Sequence, residues 1–358
     1  MSPRPPSPRG RGAVSNTSGR YESLTRDAFD DGWEADDETP PALRTTLTAE
    51  AARAVINRND SPDVPFDLSI NPYRGCEHGC IYCYARPAHA YMGLSPGLDF
   101  ESRLFFKPNA PALLTAELSR KGYVPKVIHI GGNTDPYQPV ERDARITRGL
   151  IEVLAQFRHP FSIITKGALI GRDLDLLGPL GQAGLVRTAV SITTLDRRLA
   201  RIMEPRAATP GRRLEAVTRL AQSGVPTRVM FAPVIPGLND HELEAVLEAA
   251  AKAGAVGAGF LVVRLPREIK DLFQEWLTET VPDRAARVMS LIRQMRGGKA
   301  NDPRFGKRMR GEGPLADLLS RRFAIARARL GLDRPLPDLD LTQFRIPPKP
   351  GDQIDLFS

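Results

Sequence analysis

Apolar runs of strand length alternating with helical stretches predict an α/β fold, with a helical extension behind it and disordered termini. Three observations carry the prediction. Between Phe66 and Val263, six such runs alternate with helical patterns, the signature of a parallel sheet with right-handed crossovers. A closed barrel takes eight such units. After Pro266 the alternation stops and only helical patterns follow. At both ends, proline, glycine and charge replace apolar residues.

In chain order, residues 1–45 set Arg4, Arg9, Arg11 and Arg20 among Pro, Ser and Gly, then an acidic block from Asp27 to Glu38. Such composition buries too little apolar surface to offset its ordering entropy, so the stretch is expected to be a disordered tail. Phe66–Ile70 alternates like a strand, and Asn71-Pro72 ends it in an extended turn. Strands are expected at Val127–Ile130, Phe161–Thr165, Val186–Ile192, Thr227–Phe231 and Gly259–Val263. Helices are expected over 110–121, Ala144–Phe157, from Asp173, over 196–203, 211–223 and 240–253. Residues 266–296 read as two helices around Trp276 and Pro282, and 314–330 as a last one. The division is a tail to residue 45, a core from 46 to 265, a basic helical extension from 266 to 334, and a Pro-rich linker and tail from 335 to 358.

A chain of 358 residues can bury a full core. Its three cysteines argue against a secreted disulfide scaffold. The N-terminus lacks the apolar region of a secretory signal, and no apolar run approaches a membrane span. A cytoplasmic protein with no membrane partner is the expectation. The net charge of +8 and pI near 9.6 favour a polyanionic partner.

All three cysteines fall in one loop, Asn71 to Arg86, with the spacing Cys76-x3-Cys80-x2-Cys83. Soft thiolates suit iron–sulfur chemistry. A 4Fe–4S cluster normally takes four cysteines, so three would leave one iron open, as catalytic metal sites do. A zinc site with His78 or His89 as fourth ligand is the alternative. Structural zinc, however, usually joins two separated knuckles, and here there is one. A second stretch, Gly131-Gly132-Asn133-Thr134-Asp135-Pro136-Tyr137-Gln138-Pro139, follows a strand. Its glycines let backbone approach a ligand closely, and its prolines stiffen the turn. The cysteines, this stretch, Lys166 and Ser191 all fall at or near strand C-termini, where barrel folds carry their sites.

The C-x3-C-x-aromatic-C motif, with Tyr82 as the aromatic, resembles the signature of the radical S-adenosylmethionine (radical SAM) enzymes. R-G-C-x-H-G-C-x-Y-C-Y-A, N-T-D-P-Y-Q-P, I-T-K, S-I-T-T, E-P-R-A-A-T-P and A-P-V-I-P-G-L-N-D resemble the spore-photoproduct-lyase-like branch, over about residues 60–330. The resemblance implies a partial (β/α)6 TIM-like barrel. It implies a 4Fe–4S cluster on Cys76, Cys80 and Cys83, whose open iron chelates S-adenosylmethionine. The bound sulfonium would be split, with one electron from an external donor, to a 5′-deoxyadenosyl radical. Tyr82 would lie near the adenine. Gly131, Gly132, Thr134, Lys166 and Ser191 would contact the cofactor. In that branch a cysteine before the Thr/Ser-Asp step returns a hydrogen atom to the product; Asn133 stands here and cannot. Tyr82, Tyr84 and Tyr137 are the candidates to replace it, unless the reaction itself differs.

The resemblance points to nucleic acid, DNA first, with RNA or a protein side chain as alternative substrates. The basic stretch 293–329, with Phe305 interleaved, would neutralise phosphates. Gln353-Ile354-Asp355-Leu356-Phe357 resembles a bacterial sliding-clamp-binding pentapeptide, in which Gln353, Leu356 and Phe357 would make the contacts. The Pro-rich linker before it would reach on the order of 50 Å. A clamp-associated DNA-binding protein with a structural metal is the reading from another class.

Overall fold

The computed structural model describes residues 10–22 and 43–348. Strands β1 (Thr46–Ala49) and β2 (Ile56–Arg58) precede β3 (Leu68–Ile70) and the two-residue β4 (Tyr73–Arg74). The cysteine loop and a 3-10 turn over Arg86–Met92 lead to α1 (Asp99–Ser102) and β5 (Arg103–Phe106). Then come α2 (Ala110–Leu118), β6 (Ile128–Ile130), α3 (Glu141–Ala144), α4 (Ile146–Gln156) and β7 (Phe161–Thr165). They are followed by α5 (Leu174–Gln182), β8 (Val186–Ser191), α6 (Arg197–Met203), α7 (Pro210–Gln222), β9 (Thr227–Val234), α8 (Leu243–Lys252) and β10 (Gly257–Val262). Helices α9 (Ile269–Thr280), α10 (Pro282–Gln294) and α11 (Pro314–Arg329) complete the order.

The six expected strands are β3, β6, β7, β8, β9 and β10. They pair in that sequence, all parallel, with β2 added antiparallel at the β3 edge. The first and last do not pair with each other, so the barrel is partial. Period-two alternation sorts the side chains: in β7, Phe161, Ile163 and Thr165 are buried while Ser162 and Ile164 are only partly so. Helix α4 answers with Ile146, Leu150 and Leu154, a buried i, i+4 row.

The sequence pattern predicts a single helix over Ala144–Phe157. Arg145 instead takes a left-handed φ of 52° between α3 and α4. The buried Glu141 carboxylate accepts the Thr147 amide at 3.0 Å and the Arg148 amide at 3.3 Å. It thereby supplies α4 with the acceptors that its first turn lacks. A small sheet unforeseen from the sequence sets β5 between β1, parallel, and β4, antiparallel.

The extension does not stand apart from the core. Trp276, Val288, Ile292, Leu319 and Phe323 belong to the same buried cluster as the barrel. Trp276 donates its indole N–H to the Ile202 carbonyl at 3.1 Å. Helix α11 pairs with α8 through Arg322–Glu244 and Arg329–Glu248.

Part of each tail needs correction. Residues 10–22, expected to be disordered, pack into the structure: Ala13 is wholly buried and Arg11 nearly so. Polar bonds order this segment. Arg11 donates to the Glu101 carbonyl at 2.7 Å, Asn16 exchanges two bonds with Asp99, and Arg20 pairs with Glu268 at 2.5 Å. The linker expected from residue 335 is docked as far as 348. Phe344 lies against Phe157, Tyr123 and His159, and the Arg345 amide donates to the Phe157 carbonyl. Arg4, Arg9, the acidic block 27–38 and the pentapeptide residues Gln353, Leu356 and Phe357 lie outside the described residues. Among the described residues, no helix is long and apolar enough to cross a membrane.

Candidate metal-cluster site

The cysteine loop is held by its backbone as well as by side-chain packing. Gly75 and Gly79 take φ of +76° and +69°, which disfavours any side chain there. The Cys76 amide donates to the Phe100 carbonyl at 2.9 Å, and the Ile81 amide to Met203 at 3.1 Å. Arg86 is wholly buried. It donates to the carbonyls of Cys80, Gly79, Pro96 and Gly97 and pairs with the wholly buried Glu101. Glu101 also accepts the amides of Gly12 and Ala13, each at 2.8 Å. Gly12 is pressed so close to the loop that a Cβ there would overlap the Gly79 carbonyl oxygen.

The Gly131–Pro139 segment is stitched to this loop. Asn71 Oδ1 accepts the Asn133 amide at 2.8 Å. Thr134 donates its hydroxyl to the Tyr73 carbonyl at 2.8 Å. Gln138 accepts the Glu77 amide at 2.8 Å and donates to the Gly75 carbonyl. His78 Nδ1 faces Asp135 Oδ2 at 3.3 Å. Burial opposes ionisation of Asp135, but His78 and hydrogen bonds from Thr165 and the Lys166 amide outweigh it and hold the carboxyl down to about 2. A side chain on Gly131 would strike the Ile164 carbonyl, and one on Gly132 would press the Phe66 ring.

Across the strand ends, the Tyr82 hydroxyl donates to Glu204, which also accepts Thr193 Oγ1 at 2.6 Å and pairs with Arg213. Arg213 reaches on to the Ser191 carbonyl at 3.0 Å. Lys166 Nζ stands 5.7 Å from the Tyr82 ring centre. Tyr82, Lys166 and Ser191 therefore join one network around the cysteine loop. Tyr137 is directed elsewhere, its buried hydroxyl donating to Asp173 at 3.0 Å. Asn133 is exposed. Tyr84, itself exposed, donates its hydroxyl to the Gly132 carbonyl.

The donor set fits a cluster. Cys76 and Cys80 are buried and Cys83 is partly so. Burial, and then the carboxylates of Asp135 beside Cys76 and Glu204 beside Cys80, push the thiols up. Such thiols stay protonated at neutral pH unless a metal takes them as thiolates. Among the described residues no three His, Cys, Asp or Glu side chains converge closely enough to hold a single metal ion. His89, one candidate fourth ligand to zinc, is committed to the Arg103 carbonyl at 2.9 Å.

Sequence reasoning does not single out Arg86, Glu101, Glu204 and Arg213. Glu204 begins the E-P-R-A-A-T-P stretch, so its position is on view, but not its link to Tyr82 more than a hundred residues away.

The sequence model of the Radical SAM superfamily matches residues 70–250. An uncharacterized protein of Mycobacterium tuberculosis (strain ATCC 25618 / H37Rv) is 38% identical over 233 residues, covering 64% of this chain and 68% of that one. An uncharacterized protein of Methanocaldococcus jannaschii is 27% identical over 191 residues, covering 53% of this chain and 68% of its own. Among solved structures, spore photoproduct lyase complexed with dinucleoside spore photoproduct superposes with a TM-score of 0.59 at 16% identity, covering 79% of each chain. A cysteine-to-serine mutant of that lyase gives 0.57 at 17%, again over 79% of each chain. With the fold of that lyase and a family match across half its length, this chain belongs to the radical SAM superfamily of enzymes.

Proposed function

We propose that this enzyme cleaves S-adenosylmethionine reductively at a 4Fe–4S cluster held by Cys76, Cys80 and Cys83, and acts on a nucleic acid. The observation that carries the reading is the set of three cysteines in one loop, enclosed by the strand-end network of Tyr82, Glu204, Lys166 and Asp135. When bound, the cluster and its ligand would supply a 5′-deoxyadenosyl radical, given an electron from an external donor.

The chain's own residues would do the rest. Gly131 and Gly132 give backbone access, Thr134 and Asp135 fix that segment, and Tyr82 and Lys166 flank the cofactor. Of the three candidate hydrogen-atom donors, Tyr82 and Tyr137 have hydroxyls given to buried carboxylates. Tyr84 gives its hydroxyl only to the Gly132 carbonyl, not to a carboxylate, and is 44% exposed beside Cys83, so it is our choice.

A nucleic-acid substrate is supported by the net charge. The resemblance to a lyase bound to a dinucleoside points the same way. Anaerobically reconstituted protein, given dithionite and S-adenosylmethionine, should release 5′-deoxyadenosine, and added DNA or RNA should alter the yield. No nucleoside product would refute the chemistry, and indifference to both polymers would refute the substrate.

A further inference from the structure

Resting on the nucleic-acid reading above, we propose that Tyr84, Arg264, Phe305 and Arg308 form a stacking platform for an unpaired strand, leading to the cysteine loop.

Two arginine–aromatic pairs compose it. The Arg264 guanidinium lies 4.5 Å from the Tyr84 ring centre, and that of Arg308 lies 4.4 Å from the Phe305 ring. The pairs are neighbours. Arg296 bridges the carbonyls of Val263, next to Arg264, and Lys307, next to Arg308, at 2.8 and 3.0 Å, and Tyr84 directly follows Cys83. The series therefore runs from a cysteine of the cluster loop to Phe305, which is 58% exposed.

The platform is rigid. Arg308 is fixed by Asp63 and by Ser61 Oγ at 2.5 Å. The Gly306 amide donates to Asp63 at 2.7 Å. The Val262 amide at the end of β10 donates to the Met309 carbonyl at 2.9 Å. Arg304 pairs with Asp302 and Glu312, and Lys307 with Glu312. An exposed Phe on a loop pinned this way presents its ring at little entropic cost.

Exposed rings, more than charge, favour a single strand over a duplex. Duplex binding depends on many phosphate contacts. Of the eleven cations in the basic stretch, however, Arg304, Lys307, Arg308, Arg322 and Arg329 are already paired with carboxylates, and Arg296 is buried on backbone carbonyls. What this platform offers instead is π-faces and guanidinium planes, the surfaces on which unpaired bases stack.

The test is fluorescence anisotropy on the reconstituted holoenzyme with a short labelled strand, as DNA, as RNA and as the DNA duplex, at one salt concentration. Wild type should prefer a single strand to the duplex. Phe305→Ala should weaken single-strand binding roughly tenfold, the effect of about 1.4 kcal/mol of lost stacking, with iron content unchanged. Phe305→Trp should restore it and Phe305→Leu should not. If wild type binds a strand but Phe305→Ala does too with equal affinity, or if the duplex is preferred, the platform is wrong and the nucleic-acid reading stands. If wild type binds none of the three, the nucleic-acid reading itself falls.

Discussion

Arg86 and Glu101 form an ion pair with both side chains wholly buried, against the backbone of the cysteine loop. Two charges removed from water are tolerated only when further hydrogen bonds complete them. Arg86 has four carbonyls, two from the cysteine loop and two from Pro96 and Gly97, and Glu101 has two amides from residues 12 and 13. The N-terminal segment thus helps to hold the cysteine loop, although the family match begins only at residue 70.

Breaking that pair should loosen the loop before it unfolds the barrel. Glu101→Ala should destabilise the protein by about 3–5 kcal/mol, because it strands a buried guanidinium. Gly12→Ala offers a gentler probe. Its methyl group would collide with the Gly79 carbonyl, and iron loss to a chelator should accelerate several-fold while far-UV circular dichroism stays the same. Unchanged iron retention in both variants would mean the segment is packing only.

Glu204 should behave as the hinge pin of Tyr82. Glu204→Gln keeps a hydrogen-bond acceptor but removes the charge facing Arg213. We expect a stability loss of about 1–3 kcal/mol and a raised KM for S-adenosylmethionine, with iron content intact. A normal KM would detach this network from the cofactor.

Acid should destabilise the fold through buried neutral histidines. Burial lowers His159 and His89 to about 4, against an unfolded value near 6.5. Because their folded-state values are depressed, stability is complete above the unfolded value. It is lost as the pH falls through the window from about 6.5 to about 4, where only the unfolded chain takes up protons. Urea midpoints measured across that window should fall, and His159→Gln should flatten part of the slope. A flat profile would contradict this assignment.

Tyr84→Phe tests the hydrogen-returning role. It should leave 5′-deoxyadenosine formation near wild type while lowering substrate turnover at least about tenfold. Equal turnover would return the question to the reaction itself.

The strands and the site are legible in the sequence to different depths. Alternation and glycine-ended apolar runs mark all six parallel strands, because local burial dictates that pattern. Cys76, Cys80 and Cys83 are legible because their ligand spacing is local. The Glu101–Arg86 and Tyr82–Glu204 links are not, since each depends on residues that only the fold brings together. Residues 10–22 mislead for a related reason. Composition reports the apolar burial a segment can supply, whereas this one is ordered by hydrogen bonds to Glu101, Asp99 and Glu268. The basic stretch shows its charge in the sequence but not that carboxylates such as Asp63 and Glu244 already occupy much of it.

The most direct measurement is anaerobic reconstitution with iron and sulfide, scored by iron content, electron paramagnetic resonance after reduction, and 5′-deoxyadenosine release. Wild type should hold a reducible 4Fe–4S cluster whose spectrum changes on adding S-adenosylmethionine. Cys76→Ala, Cys80→Ala and Cys83→Ala should each lose the cluster signal and the nucleoside. An iron-free wild type, or cysteine variants that still release the nucleoside, would contradict the account.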